Sequence, residues 1–397
     1  MMSNDSLAIL TRLTAQSQFE QEEPAGMPCP LPELLEPAPE PRSSLKSTDF
    51  IPDIFRAKRS GGGVMPLLKT VLTTACERNC NYCCFRAGRD TRRETLKPDT
   101  MADLFNRLHQ GGIAEGLFLS SGLVGGGLRT QDKILDTAEI LRYKLGFKGY
   151  LHLKIMPGAE KDQVLRTMQL ANRVSVNLEA PNADRLRKLA PLKSFTDELL
   201  QPLRWANEIR RTLNPLSAVN LKWPSLATQF VVGGVGESDL ELLKISQYLL
   251  GKLALSRIYY SRFVPVRNTP FENLQAEDPL RQIRLYQAGF LLRDYGYTID
   301  EFRYSATGCL PLDADPKLAW AREHLAQQPL EINTANRLQL LRIPGIGPLG
   351  AKRIMKSRYR YLIKEPGELR ALGIHVERAL PFILINGKRP DSQLRLI

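Results

Sequence analysis

The fold of this chain is decided by residues 68–83, whose sequence is LKTVLTTACERNCNYC. The first half, residues 68–74, is rich in apolar and β-branched side chains and predicts a buried strand. The second half carries Cys76, Cys80 and Cys83 with the spacing C-x3-C-x2-C. A strand that delivers three thiols to one tight loop predicts a metal site at the end of that strand.

Apolar, β-rich runs continue to alternate with helical patterns as far as about residue 302. The predicted strands are residues 68–74, 116–120, 150–155, 173–178, 227–232 and 257–263. The predicted helices are residues 101–108, 133–143, 160–170, 198–213, 238–250 and 279–295. Six strand–helix units in series predict a parallel sheet covered by helices, either an open doubly wound sheet or a full or partial barrel. In each case functional residues are expected at the carboxyl ends of the strands.

The composition narrows the class of protein. The chain has 397 residues, of which 43% are hydrophobic and 24% are charged, which is typical of a globular protein with two or three domains. Six cysteines in this length are too few for a disulfide scaffold. No long uninterrupted apolar stretch predicts a membrane span, and the first residues lack the pattern of a secretory signal. We therefore expect a cytoplasmic protein whose thiols stay reduced and which has no membrane partner.

The charge is distributed unevenly along the chain. Residues 1–48 contain three basic and seven acidic residues, and seven of the 27 prolines lie between Pro24 and Pro41. This predicts a disordered, acidic, proline-rich tail with one short helix near residues 6–18. Residues 329–397 contain 13 basic and five acidic residues, a net charge of +8, while the whole chain carries +13. A negatively charged partner is therefore expected at the C-terminal part.

Two metal sites are compatible with the cysteine spacing. Three thiolates on one loop suit three irons of a [4Fe–4S] cluster and leave the fourth iron open to a small molecule. The alternative is structural zinc, which prefers four protein ligands in two pairs. Cys29, Cys84 and Cys309 are isolated, and the four histidines are scattered along the chain. The spacing therefore favours the open cluster.

With Tyr82 as the aromatic residue before the last cysteine, this motif resembles that of the radical S-adenosylmethionine (SAM) superfamily. The resemblance covers about residues 67–305 and implies an α/β fold, a partial (β/α)6 TIM-like barrel. It also implies that Cys76, Cys80 and Cys83 bind a [4Fe–4S] cluster whose fourth iron is chelated by SAM. With an electron from a reductant such as flavodoxin or ferredoxin, cleavage of SAM would give a 5′-deoxyadenosyl radical that abstracts hydrogen from a substrate.

Three later segments stand where members of this superfamily hold SAM, although each could also be an ordinary strand-to-helix turn. Residues two apart on a strand share one face, and glycine lets the backbone approach a ligand closely. The residues that the resemblance assigns to SAM are Ser120, Ser121 and Gly122 after the second predicted strand, Asn177 and Glu179 after the fourth, and Gly233 and Gly234 after the fifth.

Four arginines lie within residues 86–93, directly after the cysteine loop. They predict either a path for a phosphate-bearing substrate or a solvated loop.

The single Cys309 lies in the sequence TGCL at 307–310. It is either a structural cysteine or a catalytic residue that donates a hydrogen atom to a substrate radical, as a thiol does in some radical SAM repair enzymes.

Residues 333–354 predict two short helices joined at the run IPGIG, residues 343–347. Glycines at a helix N-terminus present backbone N–H groups that can bind phosphate without reading bases. The pattern resembles the helix-hairpin-helix DNA-binding motif, and a weaker copy follows at residues 366–383. The alternative is a hairpin used only for protein contact. The residues expected to contact nucleic acid are Gly345, Gly347, Lys352, Arg353 and Lys356.

The combination resembles a family described as DNA modification or repair radical SAM proteins with a C-terminal helix-hairpin-helix. It implies a radical SAM enzyme acting on DNA. Two alternatives remain, a radical SAM enzyme that modifies tRNA or another RNA, and a non-catalytic iron–sulfur protein that binds or senses DNA. The expected organisation is a disordered tail over 1–48, a barrel over 49–310, a linker over 311–328 and a small all-α nucleic-acid-binding domain over 329–397.

Overall fold

The computed structural model of the chain describes residues 4–16, 52–58, 63–219 and 221–390. The chain divides into two compact units. The first contains Met1–Glu237 and Gly251–Glu277, and the second contains Ser238–Leu250 and Asp278–Ile397. These units are defined by packing, so the functional boundaries expected from the sequence stay a prediction.

The elements alternate between strand and helix over most of the first unit. The strands are β1 Ile54–Lys58, β2 Val64–Val71, β3 Gly116–Ser120, β4 Tyr150–Lys154, β5 Arg173–Ser175, β6 Ser225–Val232, β7 Arg257–Arg262, β8 Leu330–Glu331 and β9 Ile383–Leu384. The helices are α1 Asn4–Gln16, α2 Pro98–Gln110, α3 Gly126–Glu139, α4 Lys161–Leu170, α5 Ala183–Leu189, α6 Gln201–Thr212, α7 Asp239–Lys252, α8 Pro279–Asp294, α9 Pro316–His324, α10 Arg337–Arg342, α11 Pro348–Ser357, α12 Pro366–Ala371 and α13 Val376–Ala379.

Seven strands of the first unit form one curled sheet in the order β1-β2-β3-β4-β5-β6-β7. The strands from β2 to β7 are parallel, and β1 pairs antiparallel with β2. Because each strand lies beside the next one in sequence, the order never reverses, which excludes the doubly wound alternative. A parallel sheet wound in one direction is a half-barrel of the TIM-like kind, as the sequence predicted.

One face of this sheet carries polar side chains in neighbouring strands. The strand register places Lys69, Phe118 and His152 side by side. The Lys69 ammonium lies 5.7 Å from the centre of the Phe118 ring, whose centre is 4.5 Å from that of His152. The chain of contacts ends on β5, where Nε2 of His152 and the Ser175 hydroxyl are 2.9 Å apart. This buried row crosses four neighbouring strands near their carboxyl ends.

All six predicted strands are present, but two details of the sheet differ from the sequence prediction. Strand β1 was not predicted, since its five residues mix apolar and basic side chains without a strong period. Strand β5 ends at Ser175, whereas residues 173–178 were expected to be extended. There the Thr228 hydroxyl donates to the Val176 carbonyl and accepts from the Leu178 N–H, so a side chain replaces the strand ladder.

The short helix expected near residues 6–18 is α1, and its surroundings correct the expectation of a disordered tail for this segment. Leu10 and Leu13 are fully buried. Arg12 forms an ion pair with the buried Glu94 at 2.7 Å. Helix α1 therefore belongs to the folded first unit, while residues 17–48 of the expected tail lie outside the described residues.

The second unit has its own hydrophobic core. The residues of this core come from α9 to α13 and from β8 and β9. The first helix pair, α10 and α11, and the second helix pair, α12 and α13, therefore share one core. The segment 311–328, expected to be a linker, holds α9, because Asp315 caps the helix and Ala321 and Leu325 pack into the core. Across the part of the chain that the structure describes, no helix combines the length and apolar character needed to cross a bilayer.

Replacing Leu13 by Ala should lower the free energy of unfolding by about 2–5 kcal/mol, because the substitution leaves a cavity in a packed core. Chemical denaturation measures the change. The exposed Ala15 on the same helix provides the control, and Ala15→Gln, which introduces another good helix former, should shift the free energy by less than about 0.5 kcal/mol. Equal stability of the Leu13→Ala variant and the unsubstituted protein would show that α1 does not pack in the core and belongs to the disordered tail.

Candidate active site at the cysteine loop

The three predicted metal ligands leave β2 at its carboxyl end. Cys80 is 6% exposed, while Cys76 and Cys83 are half-buried. Backbone N–H groups point at two of the sulfurs. Those of Arg78 and Leu123 lie 3.5 Å from the Cys76 sulfur, and that of Phe85 lies 3.3 Å from the Cys83 sulfur. Such donors favour a negatively charged sulfur, the form that binds metal.

The loop is docked on the C-terminal end of α5 and on the segment that follows it. Arg78 donates to the Leu192 carbonyl and, at 2.5 Å, to the Glu198 carboxylate. Asn81 donates 2.8 Å hydrogen bonds from its backbone to Leu189 and from its side chain to Lys188. The cysteines are therefore held by contacts that do not depend on a bound metal.

The arginines of residues 86–93 bond mainly to the protein's own backbone. Arg93 donates to the carbonyls of Thr74 at 2.7 Å, Phe85 at 3.0 Å and Arg86 at 2.8 Å. Arg89 likewise donates to two backbone carbonyls. Arg93 therefore helps to give the cysteine loop its shape, whereas Arg92 is largely exposed and pairs with Glu94 at 2.6 Å.

The glycine-containing segment after β3 is fastened to the first turn of the cysteine loop. The Gly122 N–H donates to the Thr73 carbonyl at 2.8 Å, and a Cβ on Gly122 would overlap the carbonyl oxygen of Ala75. The Glu77 carboxylate accepts from the N–H groups of Gly125 and Gly126 at 3.0 and 3.1 Å. Only glycine fits at position 122. Its close packing against the Ala75 backbone helps to fix the position of the neighbouring Cys76.

The two serines that precede Gly122 differ in exposure. Ser120 is buried at the end of β3, while the half-buried Ser121 donates to the Gly122 carbonyl at 2.8 Å. Their predicted contact with SAM stays a prediction.

The segment after β5 brings Glu179 under the cysteine loop in a conformation that the sequence did not predict. Glu179 has φ 65° and pairs with β6 through Gln229 and Val231, so it does not continue an extended strand. Expecting Asn177 and Glu179 on one face of a strand was therefore wrong, because β5 has already ended. Asn177 is half-buried and Glu179 is buried.

Glu179 forms an ion pair with Lys193, a residue that the sequence did not single out. The Lys193 nitrogen is 3.0 Å from Oε1 of Glu179, and the two side chains are 10% and 5% exposed. The other oxygen, Oε2, is buried and has no hydrogen-bond partner among the described residues. A buried carboxylate oxygen of this kind is an open acceptor for a ligand hydroxyl or ammonium group.

The ionisable groups around the Lys193–Glu179 pair shift one another's pKa values. Burial raises the pKa of the Cys80 thiol to about 12, although the Lys193 ammonium opposes the shift. Burial alone would lower the pKa of Lys193, but Cys80 and Glu179 outweigh it and raise the pKa above its ordinary value. Burial of the Tyr82 hydroxyl, with Glu179 nearby, raises its pKa well above the ordinary range. Bound metal would remove the thiol proton, and the Lys193 charge would stabilise the thiolate.

The glycines after β6 form a turn closed by an acidic side chain. The Gly233 N–H donates to the Glu237 carboxylate, which also accepts from the Val235 N–H at 3.3 Å. Gly233 has φ 91°, and a Cβ there would overlap Glu277. The Gly233 N–H is therefore already used within the protein, and the predicted SAM contacts of Gly233 and Gly234 stay predictions.

Cys309 lies in the second unit, in a turn at the start of α7. Its N–H donates to the Ser305 hydroxyl at 3.2 Å, and the next N–H, that of Leu310, donates to the buried Asp239 at 2.7 Å. The Leu240 N–H donates to the Gly308 carbonyl at 3.0 Å. These hydrogen bonds stabilise the turn that contains Cys309. A role for Cys309 as a hydrogen-atom donor stays a prediction.

The first hairpin of the second unit joins α10 to α11. Gly345 packs against His375 and Arg378 of the second helix pair, where a Cβ would overlap the His375 carbonyl. The Lys317 ammonium donates to the Ile346 carbonyl at 2.5 Å. Gly347 is half-buried, with its Cα facing the Tyr295 hydroxyl. The hairpin is thus braced from inside the unit.

The basic residues of α11 divide into two kinds. Lys352 and Lys356 are exposed on its outer face. Arg353, also exposed, donates to the Leu372 carbonyl at 3.0 Å and so ties the two helix pairs together. Of the three basic residues predicted to contact nucleic acid, Arg353 therefore has a structural task as well.

The donor set fits a cluster better than a single ion. A zinc ion gathers its ligands within about 2.3 Å of one point. The described residues contain no group of three or more His, Cys, Asp or Glu side chains placed to hold one metal ion. Three thiols spread along one anchored loop can each reach a different iron of a cluster.

Residues 70–249 match the family model of the radical SAM superfamily, so this part of the chain is a radical SAM domain. Enzymes of this superfamily use a [4Fe–4S] cluster, SAM and a reductant. No curated protein matches the chain.

Similar solved structures have low identity. Methylornithine synthase (PylB) is 16% identical with a TM-score of 0.45, covering 57% of this chain and 61% of its own. The FeFe-hydrogenase maturase HydG from Carboxydothermus hydrogenoformans is 16% identical with a TM-score of 0.46, covering 57% of this chain and 51% of its own. The radical SAM methyltransferase TsrM from Kitasatospora setae is 11% identical with a TM-score of 0.38, covering 52% and 38%. The chain thus spans between two fifths and three fifths of these proteins.

Replacing Lys193 by Met should lower the free energy of unfolding by about 3–5 kcal/mol, because Glu179 is left as an uncompensated buried charge. Adding Glu179→Gln should restore much of the loss, since a neutral amide needs no counter-charge. Urea denaturation compares the three proteins. Lys161→Met, which breaks the exposed pair with Glu208, should cost less than about 1 kcal/mol. Similar losses at both lysines would show that burial of the Lys193 pair is unimportant.

Proposed function

We propose that Cys76, Cys80 and Cys83 hold a [4Fe–4S] cluster and that Lys193 and Glu179 help to orient SAM beside it. The observation that supports this proposal is the buried Lys193–Glu179 pair next to Cys80, with Oε2 of Glu179 left as an acceptor. When bound, the cluster and SAM supply a 5′-deoxyadenosyl radical after transfer of one electron, from a reductant such as flavodoxin or ferredoxin.

In this proposal the chain's own residues position the SAM molecule. The Lys193 ammonium attracts its carboxylate and stabilises the Cys80 thiolate, while Oε2 of Glu179 accepts from a ribose hydroxyl or the amino group. Ser120, Ser121, Gly122, Asn177, Gly233 and Gly234 remain the further proposed contacts. Arg93 acts indirectly, by holding the cysteine loop in shape, and Gly122 has this supporting role in addition to its proposed contact.

We further propose that the substrate is nucleic acid, with DNA modification or repair as the setting. The supporting observation is the charge of the second unit, since residues 332–364 contain eight basic and no acidic residues. Lys352, Lys356 and the N–H groups of Gly345 and Gly347 would bind the phosphate backbone without reading bases. A target base would have to be unpaired or leave the stack to reach the carboxyl ends of barrel strands.

Replacing Cys80 by Ala should abolish cluster assembly and SAM cleavage, because only two ligands of the three would remain. After anaerobic reconstitution, iron content and 5′-deoxyadenosine formed with dithionite measure both effects. Cys84→Ala is the matched control, since Cys84 adjoins the motif but lies outside its spacing, and it should keep both. Undiminished 5′-deoxyadenosine from the Cys80 variant would reject the proposed ligand set.

Replacing Lys352 and Lys356 together by Gln should weaken DNA binding regardless of sequence and reduce the slope of log affinity against log salt by about 2, roughly one for each lost phosphate contact. Fluorescence anisotropy over a salt series provides the measurement. Lys144→Gln with Lys148→Gln removes the same charge from two exposed lysines of the first unit and should leave the slope unchanged. Equal slopes for all the proteins would assign the hairpin to protein contact.

A further inference from the structure

Residues 358–364 form most of the loop between α11 and α12, and they are fixed at both ends. At its start the Arg358 guanidinium donates to the Ile332 carbonyl at 3.0 Å. Near its end the fully buried Ile363 is clamped by Asn333, which accepts from the Ile363 N–H at 2.9 Å and donates to its carbonyl at 2.8 Å. The residues between these anchors therefore protrude from a rigid base.

Large side chains are held in solvent between the anchors. Tyr359 is 90% exposed, Tyr361 is 54% exposed and Leu362 is 55% exposed. The backbone there is a defined turn, since the N–H groups of Arg360 and Tyr361 both donate to the Ser357 carbonyl. Neither tyrosine packs in the core of the unit, so the stability of the fold does not account for them. Exposed aromatic side chains on a rigid loop are typical of a binding surface.

The charge around the two tyrosines identifies the kind of partner. The side chains of Lys356, Arg360 and Lys364 are exposed around them. Residues 332–364 contain eight basic residues and no acidic residue, and the exposed Glu365 follows them at the N-terminus of α12. An apolar protein partner would not need this charge, whereas a polyanion with flat aromatic groups needs both features.

We propose that the 358–364 loop binds an unpaired nucleic-acid strand, with bases stacked on Tyr359 and Tyr361 and phosphates bound by Lys356, Arg360 and Lys364. This inference deepens the proposed function and rests on it for the nucleic-acid partner. The bases of a duplex are stacked on one another and cannot stack on a side chain, so the tyrosines contribute only where the strand is unpaired. Both the hairpin and the loop would bind phosphates, and the two tyrosines add the recognition of an unpaired segment.

The experiment compares binding of a fluorescent oligothymidylate of about twenty nucleotides and a duplex of the same length at one salt concentration. Tyr359→Ala with Tyr361→Ala should weaken binding of the single strand at least about tenfold and leave binding of the duplex unchanged. Phe at both positions should keep single-strand affinity within about twofold, because the stacking surface is retained. Tyr143→Ala, at an exposed tyrosine of the first unit, is the control and should have no effect.

An equal loss of single-strand and duplex binding, or no loss at all, would overturn the inference. Absence of single-strand binding by the unsubstituted protein would overturn it as well. An oligouridylate of equal length tells DNA from RNA, and a loss with the Ala variant on either strand supports the inference. Cleavage of SAM by the cluster-loaded protein is measured separately, so failure of the proposed chemistry is distinguishable from failure of strand binding.

Discussion

The buried ion pair between Lys193 and Glu179 is the interaction on which the candidate site depends. It places a positive charge beside Cys80, where three thiolates would otherwise gather in a region of low polarity. A buried pair is expensive to form, since both charges leave water. Its presence under the cysteine loop is therefore better explained by a ligand that uses the charges than by stability, and the unpartnered Oε2 of Glu179 supports that interpretation.

The arrangement of the sheet was predictable because it depends on strong, local signals. Six buried parallel strands appear as six apolar runs, and the cysteine spacing at the end of the first run predicts a metal loop. Strand β1 and the burial of α1 escaped prediction, since a five-residue edge strand and an isolated helix of 13 residues have weak patterns. The early end of β5 escaped it too, because the Thr228 side chain, far away in sequence, takes over the hydrogen bonds of the strand.

The roles of individual charged residues were the least predictable part. Lys193 belongs to no motif, and only the fold brings it to Glu179. The arginines after the cysteine loop have the composition of a phosphate site, yet Arg93 bonds to carbonyls of its own loop. Arg353 likewise donates a hydrogen bond to the Leu372 carbonyl. Composition reports how much charge a segment has, whereas the backbone geometry determines whether a guanidinium faces the protein or a ligand.

The contacts of Arg93 also bear on how the metal site is assembled. In small zinc-binding domains the ligands are disordered until the metal arrives, so metal binding and folding are one event. Here a single guanidinium joins Thr74, which lies between β2 and the first cysteine, to the carbonyls of Phe85 and Arg86 after the last cysteine of the motif. The entropy of closing the loop is thus lost when the polypeptide folds. Iron and sulfide would enter a prepared cradle, and losing them to air need not unfold the protein.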